Sequence, residues 1–229
     1  MNTYIFPDSL PPANIIALRD HLRAKFPGAH TDRAADPALL ATGIPCLDAA
    51  GVAKGALTEV IGERPSCGVA LLIHALLERE TAVREFTALV DGSDAFDPWS
   101  AAPKALERTL WVRCTDPLQA VKATDLLLRD GNVPLVLLDL QLHAPREAAR
   151  VPASAWHRLR FLAEQSGAAL CVFTPRELVP CARTRVLLDH LFTLEDLHRS
   201  RRELATGLQA RTQRHAQSAT HGALAAMAN

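Results

Sequence analysis

LTEVIGERPSCGVALLIHALLE, residues Leu57–Glu78, reads as a strand, a turn-rich loop and an apolar helix. The β-rich run ends at Gly62 and the helix begins near Gly68. This is the order of a P-loop. There, G-x-x-x-x-G-K-S/T cradles phosphates, the Lys reaches the β/γ-phosphates and the Ser/Thr hydroxyl ligates Mg²⁺. Val69 and Ala70 stand at those last two positions, and five residues rather than four separate Gly62 from Gly68. Pro65 removes one backbone N–H from the cradle. Gly62, Gly68, Val69 and Ala70 thus form a vestigial P-loop, for which no cofactor and no ATP hydrolysis are expected. Such a shell suggests a non-enzyme kept for its surfaces. Backbone N–H groups at a helix N-terminus attract anions without a Lys, so an unusual phosphate cradle stays open as the other reading.

The rest of the chain sets the surroundings of this loop. Its 229 residues allow one large domain with a full core. A hydrophobic fraction of 48% and a charged fraction of 22% are ordinary for a globular chain. The formal net charge is +0, so no global field draws the protein onto nucleic acid or an anionic membrane. The five cysteines are odd in number and show no C-x-x-C pairing, which predicts a reducing cytoplasm without disulfides. The nine histidines show no H-x-x-x-H or H-E-x-x-H, so no metal site is expected. MNTYIFPDSLPP lacks the basic and apolar regions of a signal peptide. No apolar run approaches the roughly 18 residues of a membrane span.

Three segments follow from the periodicities. Residues 1–41 hold a short amphipathic helix, with Ile15, Leu18, Leu22 and Phe26 at helical spacing, and a Pro-containing linker. Residues 42–194 alternate strands and helices. Strands are predicted at Ala56–Ile61, Phe86–Asp91, Thr109–Cys114, Leu135–Asp139, Ala168–Thr174 and Val186–Leu194. Helices are predicted at Val69–Arg79, Pro117–Arg129 and Ala153–Gln165. That alternation predicts an α/β fold, a mostly parallel sheet flanked by helices. LVLLDL, Leu135–Leu140, fits a strand buried on both faces. Residues 195–229 are expected to form a basic helix over Glu195–Gln217 followed by a disordered end.

Several motifs fall in a fixed order. TGIPCLD (Thr42–Asp48) precedes AGVAKGALTEVIG, and the vestigial P-loop follows. LVDGSDAFDP (Leu89–Pro98), WVRCTDPLQAVKATDLLLRDG (Trp111–Gly131), LVLLDL and CVFTPREL complete the set. This order resembles the RecA recombinase core over about residues 13–194. The departures concern nucleotide. The resemblance places the family's catalytic Glu at Ser93 and its nucleotide-sensing polar pair at Thr174 and Pro175. Asp139 alone keeps its Walker-B-like character. The resemblance also implies two DNA-binding loops. They correspond to Gln141–Val151, with Arg146 and Arg150, and to Arg176–Arg185, with Arg176, Arg183 and Arg185. Neither carries an aromatic platform for bases, so two solvated loops and a weak phosphate contact both remain as readings.

A RecA-like chain of this size without the ATPase residues resembles the ImuA family of bacterial mutagenesis cassettes. That resemblance implies a non-catalytic accessory protein of the SOS response, DNA repair and translesion synthesis. Its implied partners are an ImuB-like Y-family polymerase homologue, an error-prone replicative polymerase and RecA. In RecA a helix like the one at residues 13–26 builds the filament. Ile15, Leu18, Leu22 and Phe26 would therefore serve self-association, or else fold back on their own core. Across residues 198–217 the arginines face only Glu203. Leu194, Leu197, Leu204 and Leu208 supply an apolar stripe of partial helical register, and Arg199, Arg201, Arg202, Leu204, Leu208 and Arg211 are the candidate partner-binding residues. The same tail also reads as a helix packed on its own domain, or as a phosphate-attracting run. Three rivals remain: a SulA-like inhibitor of cell division, a regulator of RecA filaments, and a divergent active ATPase.

Overall fold

The computed structural model describes residues 38–79 and 85–214, together with Lys25. The predicted helix carrying Ile15, Leu18, Leu22 and Phe26, and the predicted disordered end, lie outside these residues. The chain divides into Met1–Asp36 and Pro37–Asn229, and the fold below belongs to the second unit.

Thr42–Asp48 forms a tight turn closed by its own side chains. The Asp48 carboxylate accepts from the Thr42 backbone N–H (2.8 Å) and the Thr42 hydroxyl (2.7 Å). This seats α1 (Pro45–Ala50), which starts on a proline and stops at Gly51 in the left-handed region. Strand β1 (Leu57–Ile61) is wholly buried and leads through the glycine loop into α2 (Val69–Leu77). There follow β2 (Thr87–Asp91), a 3₁₀ turn at Pro98–Ser100, α3 (Pro103–Leu106) and β3 (Thr109–Arg113). Helix α4 (Pro117–Asp130) starts where the Asp116 side chain accepts from the N–H groups of Leu118 and Gln119. Strand β4 (Leu135–Asp139), α5 (Pro145–Ala148), α6 (Ala153–Ser166), β5 (Ala169–Thr174) and β6 (Thr184–Leu188) complete the predicted alternation.

The sheet has seven strands in the order β3-β2-β4-β5-β1-β6-β7, where β7 is Ala210–Arg214, and the first six run parallel. Because side chains alternate along a strand, its two faces feed two cores. Leu135 and Leu137 join α1 and α2 through Leu47, Leu72 and Leu76. Val136 and Leu138 join α4 and α6 through Leu128, Trp156 and Leu159. The mostly parallel sheet flanked by helices, read from the alternation, is the fold.

The chain beyond β6 departs from expectation. Strand β6 starts at Thr184 and ends at Leu188, rather than spanning Val186–Leu194. In place of one helix over Glu195–Gln217 there is a 3₁₀ turn (Leu194–His198), a short helix α7 (Arg201–Thr206) and a strand β7 (Ala210–Arg214). A capping box between Ser200 and Glu203 restarts the helix, which ends at Gly207. The open edge of β6 then captures ARTQR as an antiparallel strand, pairing Leu188 with Ala210 and Thr184 with Arg214. The sheet thus extends past residue 194 into the segment expected to stand apart as a tail.

Candidate functional site

The C-terminal ends of β1, β2, β4 and β5 bring the vestigial P-loop, Asp91, Asp139 and Thr174 to one edge of the sheet. Strand β5 lies between β1 and β4. The Gly62 N–H donates to the Thr174 carbonyl (3.0 Å), and the Gln141 side-chain amide donates to the Gly62 carbonyl (2.6 Å). The loop's concavity is filled. A Cβ on Gly62 would lie 2.6 Å from Cys67 Sγ and 2.7 Å from a Val69 methyl. At Gly68, where φ is +98, a Cβ would meet Leu208 at 2.6 Å and Phe192 at 2.9 Å. The Phe192 N–H also donates to the Ser66 carbonyl (3.0 Å). Chain beyond β6 therefore packs onto the loop, and Cys67, Val69 and Leu208 join the hydrophobic core there. Val69 is buried at the position of the P-loop Lys, while Ala70 is exposed.

The acidic residues beside the loop act on their own backbone. Asp91 accepts from the N–H groups of Ser93 (3.3 Å), Ala95 (3.1 Å) and Phe96 (2.8 Å), and from Trp111 Nε1 (3.3 Å). It thereby holds the turn that follows β2. Asp139 is its register neighbour on β4 and accepts from the Gln141 N–H (2.9 Å). Burial pushes the Asp139 carboxyl up to about 6, and the nearby Asp91 charge adds to the rise. His143 Nε2 lies 2.8 Å from the Gly92 carbonyl oxygen. Ser93 Oγ is buried and has no hydrogen-bond partner among the described residues. The Thr174 hydroxyl donates to Glu59 Oε1 (3.1 Å), so this residue serves the sheet interior.

Arg185 is no candidate DNA contact. Its guanidinium is buried against Glu59, with Nε 2.9 Å from Oε2, and it also donates to the Val179 carbonyl (2.6 Å). Glu59 is fully enclosed and accepts further from the Leu178 (2.7 Å) and Val179 (3.0 Å) N–H groups. The sequence signal for this pair was one charge within each of two apolar strands, TEVI and TRVLL. Arg183 is half-buried. Arg146, Arg150 and Arg176 are exposed, and Arg176 donates to the Pro145 carbonyl (3.2 Å), so the two expected loops touch. Arg150 lies 3.9 Å from Asp116.

The candidate partner-binding residues are also divided. Leu208 is 4% exposed, because it seals the loop at Gly68, and it cannot belong to a docking face. Leu204 is half-buried. Arg211 pairs with Asp189 across β6 and β7 (Nη2–Oδ1 2.9 Å), and Arg199 lies 3.3 Å from Asp196. Arg201 donates to the Ser100 carbonyl and lies 3.6 Å from Glu78. Arg202 is exposed. Leu194 and Leu197, the other members of the expected apolar stripe, are exposed at 82% and 75%.

A parallel sheet whose β1 enters a glycine loop and helix, with an aspartate closing β4 two places away, defines a RecA-like α/β core. The chain is 30% identical over 115 residues to Protein RecA of Clavibacter michiganensis subsp. michiganensis (strain NCPPB 382), an overlap of 48% of this chain. The chain spans about a third (32%) of the length of that relative. No protein-family model matches the chain. The relationship to RecA is thus distant and covers part of the chain. Among the described residues no helix is long and apolar enough to cross a membrane.

Proposed function

We propose that this chain is a non-hydrolysing, RecA-like accessory protein of the ImuA type. It would hold an ImuB-like Y-family polymerase homologue and an error-prone polymerase together during damage-induced translesion synthesis. One observation carries the non-catalytic half: apolar side chains of Cys67, Val69, Phe192 and Leu208 pack where a P-loop keeps an open cradle. Hydrolysis depends on an electrostatic clamp of Lys and Mg²⁺ around the transferred phosphoryl group. Packed hydrocarbon cannot supply it. The translesion half rests on the resemblance of a RecA-like chain of this size, without the ATPase residues, to ImuA, and agrees with the distant RecA similarity.

The surfaces left for partners support an assembly role. Leu194 and Leu197 of the 3₁₀ turn are exposed, and the exposed Arg199 and Arg202 follow them within a few residues of sequence. Arg146, Arg150 and Arg176 offer a small basic surface for weak contact with DNA phosphates.

Two measurements test the proposal. Phosphate release from ATP and Mg²⁺, with and without single-stranded DNA, is expected to stay at the buffer rate; turnover would refute the non-catalytic half. Immobilised full-length protein is expected to retain an ImuB-like protein, and to lose it when Leu194 and Leu197 are both changed to Ser. No retention under either condition would remove the translesion half.

A further inference from the structure

The loop that follows β5 is fastened from inside the sheet. Glu59 on β1 and Arg185 on β6 are register partners on neighbouring strands, 0% and 3% exposed. Glu59 Oε1 accepts from the N–H groups of Leu178 (2.7 Å) and Val179 (3.0 Å), while Oε2 faces Arg185 Nε at 2.9 Å. Arg185 Nη2 donates to the Val179 carbonyl (2.6 Å) and lies 3.1 Å from Glu177 Oε1. Two buried charges are costly to desolvate, and an apolar pair of similar volume would fill the same space without that cost. An apolar pair could not hold the backbone of residues 177–179, because it offers neither acceptor nor donor.

The hold extends to the surface. Arg176 directly precedes the fastened residues and donates to the Pro145 carbonyl (3.2 Å), one residue before Arg146 in the loop that follows β4. That loop is tied down in turn. The Gln141 amide donates to the Gly62 carbonyl (2.6 Å), and His143 Nε2 lies 2.8 Å from the Gly92 carbonyl oxygen. Glu177 is the one acid in residues 176–185, and Arg185 engages it. The exposed side of the joined loops thus carries the charges of Arg146 and Arg176.

We propose that Glu59 and Arg185 form a buried latch that holds the loop after β5 in one conformation and so sets Arg176 against the loop carrying Arg146. Both are positioning residues, enclosed in the sheet and acting through the loop backbone. This rests on the reading of Arg146 and Arg176 as phosphate contacts and adds what presets them. A loop ordered beforehand does not give up that freedom when an anionic backbone binds.

Hydrogen exchange of the full chain tests the latch, with Leu178 and Val179 read relative to Val172 in β5. An amide has one oxygen where a carboxylate has two, so Glu59→Gln can serve the loop N–H groups or Arg185, but not both. The two loop amides should exchange roughly tenfold faster or more relative to Val172, the scale of one charge-assisted hydrogen bond. Leu208→Ala, which weakens the core at Gly68, should leave that ratio unchanged. An unchanged ratio in Glu59→Gln, or an equal change in Leu208→Ala, would overturn the proposal. Should Glu59→Gln fail to fold, Arg185→Lys decides: it keeps the charge but has no fork to reach Glu59, Val179 and Glu177 together, and the ratio should rise in the same way. Fluorescence anisotropy with labelled oligothymidylate at low salt reads the consequence. Affinity should fall roughly threefold or more in Glu59→Gln, the ordering cost of one long side chain, although Glu59 has no surface to offer. Full affinity with a released loop would overturn the positioning role. No binding by the parent would instead remove the phosphate reading of Arg146 and Arg176, and the exchange ratio would still decide the latch.

Discussion

Glu59 and Arg185 show how one side chain changes meaning with its surroundings. Each is buried, and they pair at 2.9 Å, while Arg185 also lies 3.1 Å from the exposed Glu177. Breaking a buried pair by removing one partner costs about 3–5 kcal/mol, and the remaining contact of Arg185 with Glu177 puts Glu59→Gln at the low end. Glu59→Gln should therefore lower the unfolding free energy by about 3 kcal/mol in urea titration. Glu59→Gln with Arg185→Met should cost less than the sum of the single changes; additive losses would show that the pair is not coupled. In sequence, Arg185 was one of several arginines beside a loop, and only pairing of β1 with β6 reveals its partner. Asp139 makes the complementary case. Its folded pKa of about 6 lies above the ordinary 3.8, so folding favours the protonated form. The sign follows: its penalty is absent below about pH 4, grows between about pH 4 and 6, and is full above that. Asp139 is half-buried, so solvent screening reduces the cost to roughly 1–2 kcal/mol. Asp139→Asn should raise the thermal midpoint at pH 8 and leave it unchanged at pH 4. A drop at pH 8 would mean that the carboxylate has a stabilising partner there.

At the scale of elements, most of the sheet was legible because its strands are near-continuous apolar runs, as in ALCVFT or LVLLD. The last strand was not. ARTQR has no apolar alternation, and Ala, Arg and Gln favour helix. It becomes a strand because the edge of β6 offers unpaired backbone groups, a tertiary effect that local propensity does not contain. The same misreading grouped Leu197 with Leu208 on one helical stripe. Leu208 is buried over Gly68, whereas Leu197 is 75% exposed. Leu208→Ala should destabilise the protein by about 2–4 kcal/mol in urea titration, as large-to-small core changes do. Leu197→Ala should stay within about 0.5 kcal/mol of the parent. Equal effects would restore the picture of a freestanding amphipathic tail. The vestigial loop itself was legible in its missing Lys and Ser/Thr, but its occupants Phe192 and Leu208 lie more than a hundred residues away in sequence.

Across the whole molecule, that long-range closure bears on the proposed loss of nucleotide binding, which could rest on two residues or on the architecture. If two residues alone were missing, Val69→Lys with Ala70→Thr would rebuild the G-K-T signature and restore binding of ATP and Mg²⁺. The structure argues otherwise. Val69 is 6% exposed and part of the core, so a Lys there would be placed against Cys67 and the backbone of Gly62. Phe192 and Leu208 would still pack against Gly68, and Pro65 would still withhold an N–H. Ser93 would still stand where the resemblance to RecA expects a general base. The double variant should therefore release no phosphate. It should unfold at lower temperature because a buried cation lacks compensation. Its calorimetric trace with ATP and Mg²⁺ should match that of the parent. A new saturable micromolar isotherm in the double variant would show that the segment beyond β6 yields to nucleotide. The fold would then be a closed ATP site rather than a filled one.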